Sequence, residues 1–318
     1  MQTYLKTKPV WVQFLLFLGM SFGIFMVLIF AGVFVLTKIT GIGLAELQDF
    51  DKWDPNNPDM IFFLRGMMLI QFLGLFFIPA LLFAYISDPS PKEYLQIRKP
   101  YKASFWILGV AIMLIAIPFV EYIGFLNQKM SLGGSAQNWM KSKEEEAAKQ
   151  IRFMLNRHTP GQLFINLIFI SLFAGIGEEL FFRGILQRMF IRALKNAWAG
   201  IIITAIIFSA FHLQFFGFFP RLFLGIILGA IYWYSGSILT AMLAHFIYDA
   251  LIITLVYLHP EMMQDVNEPM INSPVLPVYA IVSAALTLLL IRTMKKQSRT
   301  SYNDIYRNDG PALNQPNY

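Results

Sequence analysis

The sequence predicts an all-α protein, a polytopic membrane bundle of about eight transmembrane helices. Three observations predict it. The 318 residues are 57% hydrophobic and only 14% charged, where a soluble domain averages about 45–50% and about 25%. Mean hydropathy is +0.56. The apolar residues are gathered into runs of the length a bilayer core demands, about 20 residues for a helix.

The candidate spans, in order, are 10–37, 60–86, 104–125, 162–194, 197–214, 220–234, 237–258 and 275–293. The first follows Lys6 and Lys8, as a signal peptide would. Its apolar run is far longer than an h-region of about 7–15 residues, so it reads as an uncleaved anchor. The sixth is short for a full crossing. Basic residues then test the count. They precede the first span (Lys6, Lys8) and follow the second (Lys92, Arg98, Lys99, Lys102). They also close the fourth (Arg183, Arg188, Arg192, Lys195) and follow the eighth (Arg292, Lys295, Lys296, Arg299). The loops "LQDFDKWDPNNPD" and "HPEMMQDVNEP" lean acidic. By the positive-inside rule, this alternation needs an even count and puts both termini in the cytoplasm.

Two polar pieces remain. Residues 126–161 form an outer loop whose charge run "KSKEEEAAKQIRFMLNRH" favours a solvated linker helix. Ile151, Met154 and Leu155 fall at helical spacing, which leaves an amphipathic interfacial helix open. The tail after residue 293 is polar and reads as disordered. Cysteine is absent, which excludes disulfides, thiolate metal sites and a cysteine nucleophile. The net charge of +6 is explained by cytoplasmic loops, and no nucleic-acid motif occurs.

Ionisable groups inside the spans carry the functional signal. A carboxylate at mid-membrane costs about 2.5–3.5 kcal/mol on insertion scales, so such groups are kept when paired, hydrated or functional. Glu178, Glu179, Arg183, His212, His245 and Asp249 are of this kind. Glu179 and Arg183 stand at i, i+4, share a helix face and can pair. Glu178 points about 100° away and is free to face something else. His245 and Asp249 are also i, i+4, and Phe208 lies one turn before His212. Glu178 and His212 are each about 25 Å from the tight turn at 195–197, which puts them at one level. His245 follows the next turn, "YSGS", by only about nine residues, so its depth matches less well. Gly225 and Gly229 form a GxxxG that would let the sixth helix pack closely and draw the seventh inward.

These residues resemble a family. "EELFFR" is similar to the EExxxR motif of the CAAX-protease and bacteriocin-processing (CPBP, Abi-type) intramembrane proteases, "FSAFH" to their FxxxH, and "HFIYD" to their HxxxN/D. The resemblance covers about residues 160–258. It divides the chain into N-terminal helices with the outer loop (1–160), a catalytic core (161–260), a last transmembrane helix (261–293) and a cytoplasmic tail (294–318). It implies an endopeptidase that cuts a peptide bond near or within the membrane, with a peptide or protein substrate, prenylated or membrane-anchored, and the lipid bilayer as its partners. It implies Glu178 as the base that activates a water, His212 as the residue that polarises it, and His245 with Asp249 as the oxyanion-stabilising pair. Glu179, Arg183 and Phe208 support the site. Many members carry Asn where this chain has Asp249. An ionised Asp cannot donate to an oxyanion, so here it would orient the His245 tautomer instead. The family has been called metalloprotease, and Glu178, His212 and His245 could hold zinc. There is no HExxH, and the chemistry can be written without metal, which is the favoured expectation.

Plainer readings stand beside these. Glu179–Arg183 reads as structural. Arg65 and Arg221 near helix ends read as snorkelling. His158 and His259 fall in loops, and "LQFFGFFP" reads as an interfacial belt or a substrate entrance. A proton-coupled transporter also uses buried Glu, His and Asp, but it would show paired repeats with broken helices, and none is visible. A non-catalytic immunity or scaffold protein would keep the fold without cleavage. The compact form suggests a bacterial inner membrane.

Overall fold

The computed structural model describes residues 5–43, 46, 53–54, 57–130, 133–156, 158–263 and 274–306. Each of the eight expected spans coincides with a helix. They are α1 (Val10–Thr40), α2 (Pro58–Ser87), α3 (Ser104–Gln128), α5 (Pro160–Leu194), α6 (Ala197–Phe211), α7 (Phe218–Ser235), α8 (Ile238–Leu258) and α9 (Leu276–Gln297). Between α3 and α5 lies α4 (Gly134–Leu155), and α10 (Tyr302–Tyr306) follows α9. Seven of these are long and apolar enough to cross a membrane, so the chain is an integral, multi-pass membrane protein. Helices are the required solution, because lipid offers no partner for a backbone N–H or C=O. The short span is the fifth, not the sixth. Helix α6 has 15 residues, about 22 Å. The acidic loops at 47–59 and 259–269 lie largely outside the described residues.

Local chemistry sets the helix ends. Asn57, Thr159 and Asn196 accept hydrogen bonds from the first turns of α2, α5 and α6. Helix α7 stops at Gly236, whose φ is +65°. Helix α3 breaks at Ala116, just before Pro118, which removes a backbone donor. Ser283 of α9 repairs the break. Its Oγ donates to Ile115 O (2.5 Å) and accepts from Phe119 N (3.2 Å).

Four expectations are corrected here. The turn after α7 is recessed. Ser235 and Ser237 are fully buried. A Cβ at Gly184, ten residues before the end of α5, would lie 3.2 Å from Ile238 Cδ1 and 2.9 Å from Leu95. The turn therefore sits about 15 Å short of the end of α5. The stretch around Tyr94, Leu95 and Gln96, itself buried, dips in to cover it. Tyr101 N donates to Ser235 O and Ile238 N to Gln96 O. Arg98 Nε donates to Gly236 O, and Ser237 Oγ donates to Arg98 O.

The Gly225/Gly229 face meets α6 and α5 rather than α8. A Cβ at Gly225 would lie 3.0 Å from Ala205 Cβ, and one at Gly229 2.9 Å from Ile201. The charged outer loop is a 22-residue helix, and its C-terminal turn buries Phe153, Met154 and Leu155 against the bundle. Its last turn packs on the bundle instead of standing free in solvent, because that turn is apolar in a largely charged helix. The tail is ordered as far as Tyr306. Tyr306 is buried and its hydroxyl donates to Arg188 O (3.0 Å). The Arg188 guanidinium lies over the Tyr94 ring at 4.4 Å and the Tyr306 ring at 5.0 Å. Residues 307–318 lie outside the described residues.

Candidate functional site

Helices α5, α6, α7 and α8 surround a cavity of about 330 Å³ that α2 and α4 help to close. Glu178, His212, His245 and Asp249 all line it, together with Phe208 and Arg221. Groups far apart in sequence and on three separate spans are thus brought to one place. The recessed turn supplies the depth that His245 lacked. Starting from a turn that lies inside the bundle, eight residues of α8 suffice.

Helix α5 is shaped to deliver the glutamates. It carries two π-helical stretches, Leu167–Leu172 and Glu179–Gln187, and α2 carries a third at Phe72–Phe77. Such i→i+5 segments recur at functional sites because they re-aim side chains. The second stretch begins at Glu179. Small residues just before it allow close approach. A Cβ at Gly175 would lie 3.1 Å from both Met242 O and Phe246 N of α8. The backbones of α5 and α8 are therefore pressed together one turn before the glutamates. No such role was read from "AGIGEE", although the two glycines in an apolar run were the visible signal.

The adjacent glutamates then part. Glu178 faces the cavity. Glu179 is completely buried and accepts from Arg183 Nη1 at 2.6 Å. The same Oε1 lies 2.9 Å from His245 Nδ1. A carboxylate paired with a guanidinium is an acceptor, so Nδ1 carries the proton. Glu179 therefore holds the proton on His245 Nδ1. Asp249, expected to orient this ring, stands beside its other nitrogen, with Oδ2 3.4 Å from Nε2 and a quarter of its side chain exposed.

Arg183 completes the frame. Its Nη2 donates to Gly225 O (3.1 Å), and its guanidinium lies 4.8 Å from the Phe208 ring centroid. Gln187, one turn on, donates to Gly229 O (3.0 Å). Phe208 also stands 5.1 Å from the His212 ring and 6.4 Å from the His245 ring. The aromatic member of the second motif thus packs against Arg183, His212 and His245, one residue from each motif.

His212 lies one residue beyond α6, not within a span reaching 214, and Leu213 follows at φ +54°. The chain leaves the helix at this point and presents the imidazole at an open helix end. Its Nδ1 is 2.9 Å from Phe208 O. A carbonyl can only accept, so Nδ1–H donates and the neutral ring keeps an Nε2 lone pair.

The donor set does not form a ready zinc cage. Both His245 nitrogens face carboxylates and His212 Nδ1 faces a carbonyl. Among the described residues, no three His, Asp or Glu side chains are grouped to hold a metal ion.

Two snorkelling assignments are corrected. Arg65 donates to Gln162 Oε1 (2.6 Å) and Asn166 Oδ1 (3.0 Å), tying α2 to α5. Arg221 lines the cavity, and nothing but its position in an apolar run announced it. His158 and His259 do lie in connections away from the site, exposed as expected.

Comparison with known proteins agrees with the three motifs. Residues 160–251 match the family model described as "Type II CAAX prenyl endopeptidase Rce1-like". The matched segment contains all seven motif residues and the whole of α6 and α7. No curated protein matches the chain, and no solved structure does.

Proposed function

We propose that this chain is an intramembrane endopeptidase that hydrolyses a peptide bond of a membrane-associated substrate. The observation that supports it is the meeting of Glu178, His212, His245 and Asp249 in one cavity inside the segment that matches the CAAX endopeptidase family. The substrate class that the family description names is a prenylated C-terminal peptide. The basic loops would face the cytoplasm of a bacterial cell, and both termini with them.

The geometry supports the following chemistry. Glu178 takes a proton from a cavity water, and the hydroxide oxygen attacks the carbonyl carbon. The His212 Nε2 lone pair accepts the second hydrogen of that water and fixes its direction. Charge that develops on the carbonyl oxygen is met by the Nε2–H of a His245 protonated on both nitrogens, each of which faces a carboxylate. Asp249 holds that hydrogen before the substrate arrives. Glu178 returns its proton to the leaving amine as the tetrahedral centre collapses. No step is routed through a metal.

The test is cleavage of a peptide library by the detergent-purified protein. Wild type should cut, and Glu178→Ala should lose cleavage by about 10²–10⁴. Chelator should leave wild type active. Cleavage that survives Glu178→Ala removes the water-activation step. Cleavage abolished by chelation and restored by zinc replaces the metal-free form. A transporter or a scaffold would cut nothing.

A further inference from the structure

The cavity holds one charged group that the proposed hydrolysis leaves unused. Arg221, in the first turn of α7, is the one Arg or Lys among its described lining residues. Such a cation inside a membrane bundle needs a reason. Arg183 has Glu179, and Arg65 has two amide oxygens. Arg221 is seated on neutral acceptors. Its Nη1 donates to Gln214 Oε1 and its Nη2 to Gln214 O, each at 2.8 Å. Its buried Nε has no hydrogen-bond partner. The seat is a shaped one, since a Cβ at Gly217 would come within 2.4 Å of Nη2.

One acid lies near it. Glu144 of α4 interacts with Arg221, but burial is the larger influence and pushes its carboxyl up, favouring the neutral form. The guanidinium lines the cavity, and its two Nη groups have hydrogens beyond those that Gln214 takes, which suits charge-assisted bonds to a carboxylate. The α2 and α5 walls are apolar, with Phe72, Phe76, Phe169 and Phe173.

We infer that Arg221 receives the terminal carboxylate of the peptide substrate and so sets which bond is presented to Glu178. This rests on the peptidase reading above. A chain end lies a fixed number of bonds from each peptide group, so one cation can set a register whatever the side chains. Arg221 is thus a specificity-determining residue rather than part of the water-activating set.

The experiment uses two fluorophore-labelled octapeptides with an S-farnesyl cysteine fourth from the end, one a free acid and one a carboxamide. Binding is measured to the full chain carrying Glu178→Gln, which should not cut. The acid should bind at least about tenfold more tightly than the amide, as a charge-assisted hydrogen bond implies. Adding Arg221→Gln should weaken the acid to the level of the amide and leave the amide unchanged. Arg221→Lys should keep part of the preference. Equal binding of acid and amide, or no binding of either, overturns the assignment, and this comparison needs no change at Arg221. Arg221→Gln that weakens both peptides alike overturns it too. An amide ending in Glu that binds as tightly as the acid moves the recognition from chain end to side chain and overturns it in that form. Cleavage is read separately. Wild type that binds the acid tightly and leaves it intact sinks the hydrolysis, not the role of Arg221.

Discussion

Glu178 and Glu179 are neighbours in sequence, and the structure predicts opposite phenotypes for the same substitution. Glu179→Gln keeps shape and removes charge. Arg183, with no exposed surface, then loses its 2.6 Å ion pair. His245 loses its 2.9 Å carboxylate partner. What remains for Arg183 is one backbone carbonyl and the face of Phe208. Removing one partner of a buried pair costs about 3–5 kcal/mol, because it strands the other charge. For a chain of this size, that lowers the melting temperature by roughly 5–8 °C. Glu178→Gln removes a cavity-facing group outside that ion pair, and its effect should be the smaller of the two. The assay is thermal unfolding in detergent, followed by tryptophan fluorescence, beside peptide cleavage. Glu178→Gln should melt nearer to wild type than Glu179→Gln does, and fail to cut. Adding Arg183→Met to Glu179→Gln should restore part of the lost stability, since a buried pair replaced on both sides is often neutral. Equal melting temperatures for the two glutamine variants, or strict additivity in the double variant, would refute the division of roles.

Three further outcomes are expected. His212→Gln should lower cleavage by about 10²–10⁴ while leaving the melting temperature near wild type; a folded variant with normal turnover removes His212 from the water site. Ser283→Ala should cost about 1–3 kcal/mol, because Ile115 O and Phe119 N lose their shared partner at the Pro118 break; an unchanged unfolding midpoint shows that the break is otherwise satisfied. Burial raises Glu144 above its ordinary 4.5, so it contributes to the docking of α4 fully below that value and loses the contribution as pH rises through the raised one. Hydrogen-exchange protection factors across Gly134–Leu155 should therefore fall with pH in that window, and Glu144→Gln should flatten the profile; an identical profile in the variant assigns the effect elsewhere.

Much of this arrangement was legible because hydropathy and helical offset are properties of one segment at a time. Runs of about 20 apolar residues located the spans. A 100° offset separated Glu178 from Glu179 before any contact was known. What stayed hidden depends on neighbours. "YSGS" looks like any polar surface turn, and its burial comes from the stretch at 94–101, far away in sequence. The GxxxG announced a close approach but not the partner, and α6 and α5 took the place expected of α8. Charge density suggested that α4 stands in solvent, yet its last turn is apolar, and one end is enough to anchor a helix across the cavity. Position near a helix end could not distinguish a snorkelling Arg221 from one that turns inward.

The ion pair in the first motif also shows why structural and functional readings need not compete. An i, i+4 pair satisfies itself on a helix surface, and on that ground Glu179–Arg183 reads as scaffold. In the bundle, the oxygen that takes Arg183 is also the oxygen beside His245. Arg183 holds Gly225 of α7 and stacks on Phe208 of α6. A single buried carboxylate and its guanidinium thus register four helices against each other. Any loss of that charge would reach the cavity through the orientation of His245 rather than through contact with the substrate. The π-helical turn that starts at Glu179 lets consecutive residues serve both ends, one glutamate holding the frame and the other open to the cavity.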